Sequence, residues 1–217
     1  MKLKSKALIF LLVLITVEES YTQYKENDWA DRDTWMNVSR IFELAGITSG
    51  SKVADVGCHE GYLTIHLAKR VGESGNIYAV DVREDRLEKL KRHVKHRKLT
   101  NVKTIVGDYD DPKLPEETLD AVIVMDTYHE IDEYLTVLAH IKASLKTQGR
   151  IIIIEKFKIH MRNTSREEQM EAHTLSHTYV KSELQDAGFL ITKEITDFGK
   201  WENDPDKTIW LLIGELQ

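Results

Sequence analysis

Cysteine is nearly absent from this chain of 217 residues, in which Cys58 is the only one. A lone thiol excludes an intramolecular disulfide, and it leaves the compartment undecided. Positive charge is not in excess either. The 30 Lys and Arg stand against 36 Asp and Glu, a net charge of -6. That balance excludes a general attraction to nucleic acid or to an anionic membrane. Repeats and low-complexity linkers are missing, and proline occurs only 3 times. A chain of this length without an internal linker suits one domain whose core is large enough to fold alone. Long apolar runs are lacking too: the stretch from Ala7 to Val17 is too short to span a bilayer comfortably.

What that stretch does have is a basic start, Met1-Lys-Leu-Lys-Ser-Lys6. Basic then apolar is the order of a secretory signal peptide, with Ser20 and Thr22 at the small-residue positions before Gln23. Residues 1–22 are therefore expected to be a signal peptide or an N-terminal anchor, and 23–217 the folded domain. A buried N-terminal helix is the other reading. Without a cysteine near residue 20 there is no acylation site for a lipoprotein. Export to the periplasm or membrane anchoring follows if the segment is a signal, and a cytoplasmic location if it is not.

Strand and helix signals then alternate. Trp35, Val38, Ile41, Phe42 and Ala45 form an apolar stripe at helical spacing, which predicts one helix over 34–45 ending at Gly46. A strand at 52–57 precedes a helix at about 60–70, and a strand at 76–81 precedes a basic helix. In that helix Leu87, Leu90 and Val94 share one face, so the Lys and Arg between them cover a solvated side. Strands at 102–107 and 120–126 lead to a helix at about 131–145. Ile151-Ile-Ile-Ile-Glu155 then reads as a fully buried strand. Such alternation implies a parallel sheet covered by helices on both faces. The tail breaks the rhythm: a helix at 178–187, then strands at 190–197 and 208–215 with no helix between them, which should pair as an antiparallel hairpin.

The chemistry concentrates in Val53-Ala-Asp-Val-Gly-Cys-His-Glu-Gly-Tyr62 and in Gly75-Asn-Ile-Tyr-Ala-Val-Asp81. The first is a buried strand entering a turn with Gly57 and Gly61. The second is a strand that ends on a carboxylate. In an open α/β sheet, ligands bind beyond the carboxyl ends of the strands, where glycines admit the ligand and an acidic group holds ribose hydroxyls. A nucleoside-containing cofactor is expected here. A dinucleotide fingerprint needs Gly-x-Gly-x-x-Gly, and His59 and Tyr62 occupy two of those glycine positions. A nicotinamide or flavin enzyme is thus a distant alternative.

These residues resemble motif I of the class I S-adenosylmethionine (SAM)-dependent methyltransferases, with Asp55, Gly57 and Gly61 matching and His59 replacing the central glycine. The resemblance continues at Asp81, at Gly107-Asp108-Tyr109 and at Asp126, and runs from about Trp29 to the end. More narrowly, Arg32-Asp-Thr-Trp35 and Tyr128-His-Glu130 look like a group of small bacterial methyltransferases, some with export signals. The resemblance implies a three-layer α/β Rossmann-like fold, with a mostly parallel seven-stranded sheet and an antiparallel last strand. It implies SAM as cofactor. The backbone around Gly57 to Gly61 would line the methionine moiety, with the side chain of His59 turned away from it or touching it. Asp81, with Val82 beside it, would receive the ribose hydroxyls. Asp108 would meet the adenine amino group, with Tyr109 on the ring. Asp55 and Asp126 complete the cofactor set.

Methyl transfer from a sulfonium mainly requires alignment of the acceptor and, where needed, removal of a proton. His129 is expected as general base or orienting group, with Tyr128 shaping the pocket and Glu130 steering the imidazole. The competing reading is that Tyr128 and His129 merely pack at the start of the next helix. Glu155 either faces the acceptor or pairs with a nearby cation, and Trp29 and Trp35 either form a lid or pack. No metal is expected. A zinc-protease pattern would need histidine at 133, where Glu133 stands, and the pairs His173/His177 and His93/His96 lack a third ligand. A Cys58–His59 nucleophile pair is disfavoured, because adjacent side chains in a turn diverge. The acceptor is expected to be a small molecule rather than nucleic acid, with membrane contact only through an uncleaved leader. The alternative function is a SAM-fold protein of the cell envelope that binds a ligand without catalysis.

Overall fold

The computed structural model describes residues 25–216. The proposed leader, 1–22, lies outside these residues. Among the described residues, no helix is long and apolar enough to cross a membrane.

The predicted helix over 34–45 is instead two. The first, α1, spans Trp29–Trp35, and α2 spans Val38–Leu44. Between them Met36 is extended and buried, and the Asn37 side chain accepts from the Arg40 N–H at 3.1 Å. Asparagine competes for backbone donors in this way, which is why it starts helices rather than continues them. The apolar stripe survives the break because both helices lean on one core.

The alternating part follows the expected order. It runs β1 (Lys52–Val56), α3 (Tyr62–Val71), β2 (Asn76–Asp81), α4 (Glu84–His96), β3 (Val102–Val106) and β4 (Leu119–Met125). After a 3-10 turn at Tyr128–Glu130 come α5 (Tyr134–Ser144) and β5 (Leu145–Lys158). A short helix absent from the expectation, α6 (Arg166–Glu171), is held by a capping box in which Ser165 and Glu168 satisfy each other's backbone. Then follow α7 (His177–Asp186), β6 (Phe189–Lys200) and β7 (Lys207–Leu216).

The strands form one seven-stranded sheet in the order β3-β2-β1-β4-β5-β7-β6. The first five are parallel, and β7 runs antiparallel to both β5 and β6. The absence of a crossover helix after β6 dictates that hairpin, as expected. Along the strands, side chains alternate between two cores. Val53, Ile77, Ile123, Ile152 and Ile154 join one core with α2, α3 and α4, while Ala54, Val122, Ile151 and Ile153 join the other with α5 and α7. Four consecutive isoleucines are therefore needed because β5 is buried on both faces. Strand order reverses at β1, which is flanked by β2 and β4. The crevice beyond its carboxyl end is the topological switch point, where this class of sheet places its ligand.

Candidate active site

A cavity of about 520 Å³ opens at that switch point. Its floor is the turn after β1. Gly57 has φ 76, and the N–H groups of Gly57 and Cys58 both donate to Val80 O at 2.9 Å. A Cβ on Gly57 would lie 2.2 Å from Thr127 Cγ2, so only glycine lets the β4 loop close over the turn. Gly61 has φ 100 and precedes α3, and a Cβ there would meet Leu90 of α4 at 2.2 Å. His59 holds a positive φ of 48 without being glycine. Its N–H donates to Asp81 Oδ2 at 2.8 Å, a bond that helps stabilise a backbone conformation few side chains adopt.

The His59 side chain is half-buried and lines the cavity. Burial, helped by the charges of Arg86, Lys89 and Arg83, pushes its pKa down to about 4. The ring is thus a neutral part of the wall at pH 7. The neighbouring Glu60 accepts from Arg86 Nη1 at 2.8 Å and from Lys89 Nζ at 2.7 Å. Burial alone would raise its pKa, but these two cations outweigh that and lower it. So part of the basic face of α4, expected to be solvated, instead pins the glycine turn.

Asp81, at the end of β2, is held by two backbone donors. Its Oδ2 accepts from His59 N, and its Oδ1 from Arg83 N at 2.9 Å. Each oxygen keeps a further lone pair for a ligand. Burial raises its pKa, with the two backbone donors opposing. Asp55 is buried behind the turn and accepts from Thr64 Oγ1 at 2.5 Å. Burial, against that hydrogen bond, pushes its pKa up to about 7. Val82, Asp108 and Tyr109 form the open rim, with Tyr109 82% exposed and Asp108 paired with Lys113 Nζ at 2.9 Å.

The opposite end is built by β4 and β5. Asp126, buried and at φ 54, accepts from Lys156 Nζ at 2.5 Å. His129 is buried with Nδ1 2.9 Å from Glu155 Oε2, and its backbone N–H donates to Glu155 Oε1 at 3.3 Å. An ionised carboxylate can only accept, so Nδ1 carries the proton and Nε2 is left with its lone pair. Burial disfavours a charged ring, but the charge and hydrogen bond of Glu155 together hold the His129 pKa above its ordinary range. Lys158, Lys207 and Arg32 also line the cavity. Arg32 is buried, with its guanidinium 4.4 Å from the Tyr62 ring centre and 5.1 Å from that of Trp201.

The cavity brings together Asp55, Gly57, His59, Asp81, Val82, Asp108, Tyr109, Asp126, His129 and Glu130 of the expected set. Gly61 acts from behind, as the start of α3. Two expected roles are corrected. Tyr128 does not shape the pocket: it is fully buried in the core of the α5–α7 face, because neighbours in a 3-10 turn point in different directions. Glu130 does not steer the imidazole; Glu155 does, while Glu130 is exposed at the mouth with Oε1 3.9 Å from His129 Nε2. Trp29 and Trp35 pack against Tyr62 and Trp201 and are absent from the cavity wall. Cys58 is buried and its thiol is pushed well up by that burial, the opposite of an activated nucleophile.

Sequence reasoning missed Lys156 and Thr127 in the wall, and it set His173 aside for want of a third ligand. His93 pairs with Glu26, and His177 lies by Glu194. His173, by contrast, meets His129 with ring centres 5.8 Å apart at 82°. Capping-box spacing at Ser165–Glu168 was the available signal that a helix turns the chain back here.

Comparisons with known proteins agree with this geometry. Residues 47–202 match the family described as "Methyltransferase domain". A demethylmenaquinone methyltransferase of Geobacillus sp. (strain WCH70) is 33% identical over 109 residues, 50% of this chain and 47% of that protein. That of Staphylococcus saprophyticus is 31% identical over 122 residues, 56% of this chain and 51% of its own. The chain thus spans about half the length of the curated relatives it matches. Among solved structures, a SAM-dependent methyltransferase from Aquifex aeolicus superposes with a TM-score of 0.72 at 25% identity, covering 83% of this chain and 90% of that one. On the match over 47–202, this chain belongs to the methyltransferase-domain family.

Proposed function

We propose that the protein is a SAM-dependent methyltransferase acting on a small acceptor whose reacting group carries a removable proton. The observation that carries this reading is Asp81. It is fixed by two backbone N–H groups at the cavity edge, beside a turn that a Cβ at Gly57 would obstruct. That is a seat for a vicinal diol next to a close backbone approach.

When bound, SAM supplies an electrophilic methyl group on a positively charged sulfur, and transfer leaves a neutral thioether. The residues divide the remaining work. Asp81 and Val82 hold the ribose, and Asp108 and Tyr109 border the base. His129 takes the acceptor proton on Nε2, while Glu155 holds the ring through Nδ1–H. Removing that proton contributes on the order of 10² to 10⁴ in rate. The cations lining this end, Lys156, Lys158, Lys207 and Arg32, favour an acceptor that carries or develops negative charge. An acidic hydroxyl or the ring of a reduced quinone meets that requirement, and the demethylmenaquinone methyltransferases among the relatives favour the latter.

A buried Glu155 behind His129, which itself lines the cavity, favours catalysis over a ligand-binding role without turnover. The export expectation stands as part of the proposal, and N-terminal sequencing of the native protein tests it. The activity itself is tested with methyl-labelled SAM, offered with reduced demethylated naphthoquinones and a panel of phenols. Label should enter an organic-soluble product. Binding of S-adenosylhomocysteine with no transfer to any acceptor would support the binding-only role, and no binding at millimolar ligand would remove both.

A further inference from the structure

His129, Glu130 and His173 come from two separate parts of the chain, yet their ligand atoms lie within 4.8 Å of one another at the cavity wall. His129 Nε2 is 3.9 Å from Glu130 Oε1. Two imidazoles and one carboxylate are a donor set for zinc or iron(II), with positions left open for a substrate. We propose that these residues bind a divalent first-row transition ion at the acceptor end of the cavity.

Two features support a metal over a chance cluster. Glu155 accepts from His129 Nδ1–H at 2.9 Å, an arrangement that fixes the tautomer and aims the Nε2 lone pair. His173 is held rather than loose, although its side chain is exposed. Its N–H donates to Met170 O at 2.8 Å, and the next residue, Thr174, is tied to β5 through Lys156 O, also at 2.8 Å. Its own φ is 50, a backbone conformation uncommon outside glycine. The charges around the cluster are mixed: Asp126, Glu130 and Glu155 stand against Lys156, Lys158, Lys207 and Arg32, so the donor geometry carries the proposal. Bond lengths of about 2.0–2.2 Å to each ligand span ligand separations up to about 4 Å. The exposed side chains of Glu130 and His173 close what remains by rotation.

The role of the ion, unlike its binding, rests on the proposed methyl transfer. An acceptor oxygen bound to it loses its proton to solvent more readily, and the resulting oxyanion is held facing the donor. His129 would then act through the ion instead of taking the proton itself.

The test is direct binding. Metal-stripped protein is dialysed against Zn²⁺ and its metal content measured, and Co²⁺ is titrated while visible absorption is followed. One ion per chain is expected, with a d–d band. His173→Ala and Glu130→Gln should abolish stoichiometric binding, and Glu155→Gln should weaken it by about 10–100-fold. The exposed His96→Ala should bind like wild type. Each variant is also titrated with S-adenosylhomocysteine, whose unchanged affinity shows an intact fold. Equal metal binding in wild type, H173A and E130Q, or none in wild type, overturns the proposal. Neither result touches SAM-dependent transfer, which the labelling assay reads separately.

Discussion

Burial of Asp55 makes the stability of the fold depend on pH in an unusual direction. The side chain is 2% exposed, and its pKa is pushed from 3.8 to about 7. Between those values the native chain keeps the proton and the unfolded chain has lost it. Stability is therefore fully present below about pH 4 and falls as pH rises through about 7, with a slope of at most about 1.4 kcal/mol per pH unit. The shift of roughly three units sets a ceiling of about 4 kcal/mol. Asp55→Asn removes the ionisation while leaving an oxygen to accept from Thr64 Oγ1. Urea unfolding, followed by tryptophan fluorescence across that range, measures both proteins. Other groups titrate in both, so the difference between the two curves isolates Asp55. The variant should gain on wild type as pH rises, by several kcal/mol at pH 8. A difference that stays constant with pH would refute the reasoning.

Three further outcomes follow from the geometry. Asp81→Asn turns an amide NH₂ toward a backbone donor and removes the charge. It should weaken S-adenosylhomocysteine binding by about 1.5–3 kcal/mol, or roughly 10–150-fold, by calorimetry; unchanged affinity would place the ribose elsewhere. Gly57→Ala forces a Cβ to 2.2 Å from Thr127 at φ 76, so binding should be lost and stability lowered by more than the ~0.4–1 kcal/mol that a strain-free glycine-to-alanine change gains. His129→Ala should cut turnover by about 10² to 10⁴ while cofactor affinity stays within about two-fold, and normal turnover would take His129 out of the chemistry.

The cofactor end was legible because its logic is local. Gly57 and Gly61 sit in one turn, and Asp81 and Asp108 follow strands whose apolar runs are unambiguous in the sequence. The acceptor end was not, because its contacts join distant segments. Glu155 reaches His129 across 26 residues, and His173 arrives through a short helix whose apolar periodicity is too brief to see. Adjacent residues in a 3-10 turn look equivalent in sequence, yet Tyr128 enters the core while His129 enters the cavity. The break at Met36 and Asn37 was hidden for a different reason. An apolar stripe reports which face is buried, and two short helices on one core keep the same stripe as a single long one.

A crystal structure with S-adenosylhomocysteine bound tests the account most directly. It should show both ribose hydroxyls on Asp81, the adenine between Val82 and Tyr109 with its amino group toward Asp108, and the sulfur facing the side of the cavity that holds His129. A ligand seated elsewhere, or one that leaves the Asp81 carboxylate without a ribose contact, would contradict it.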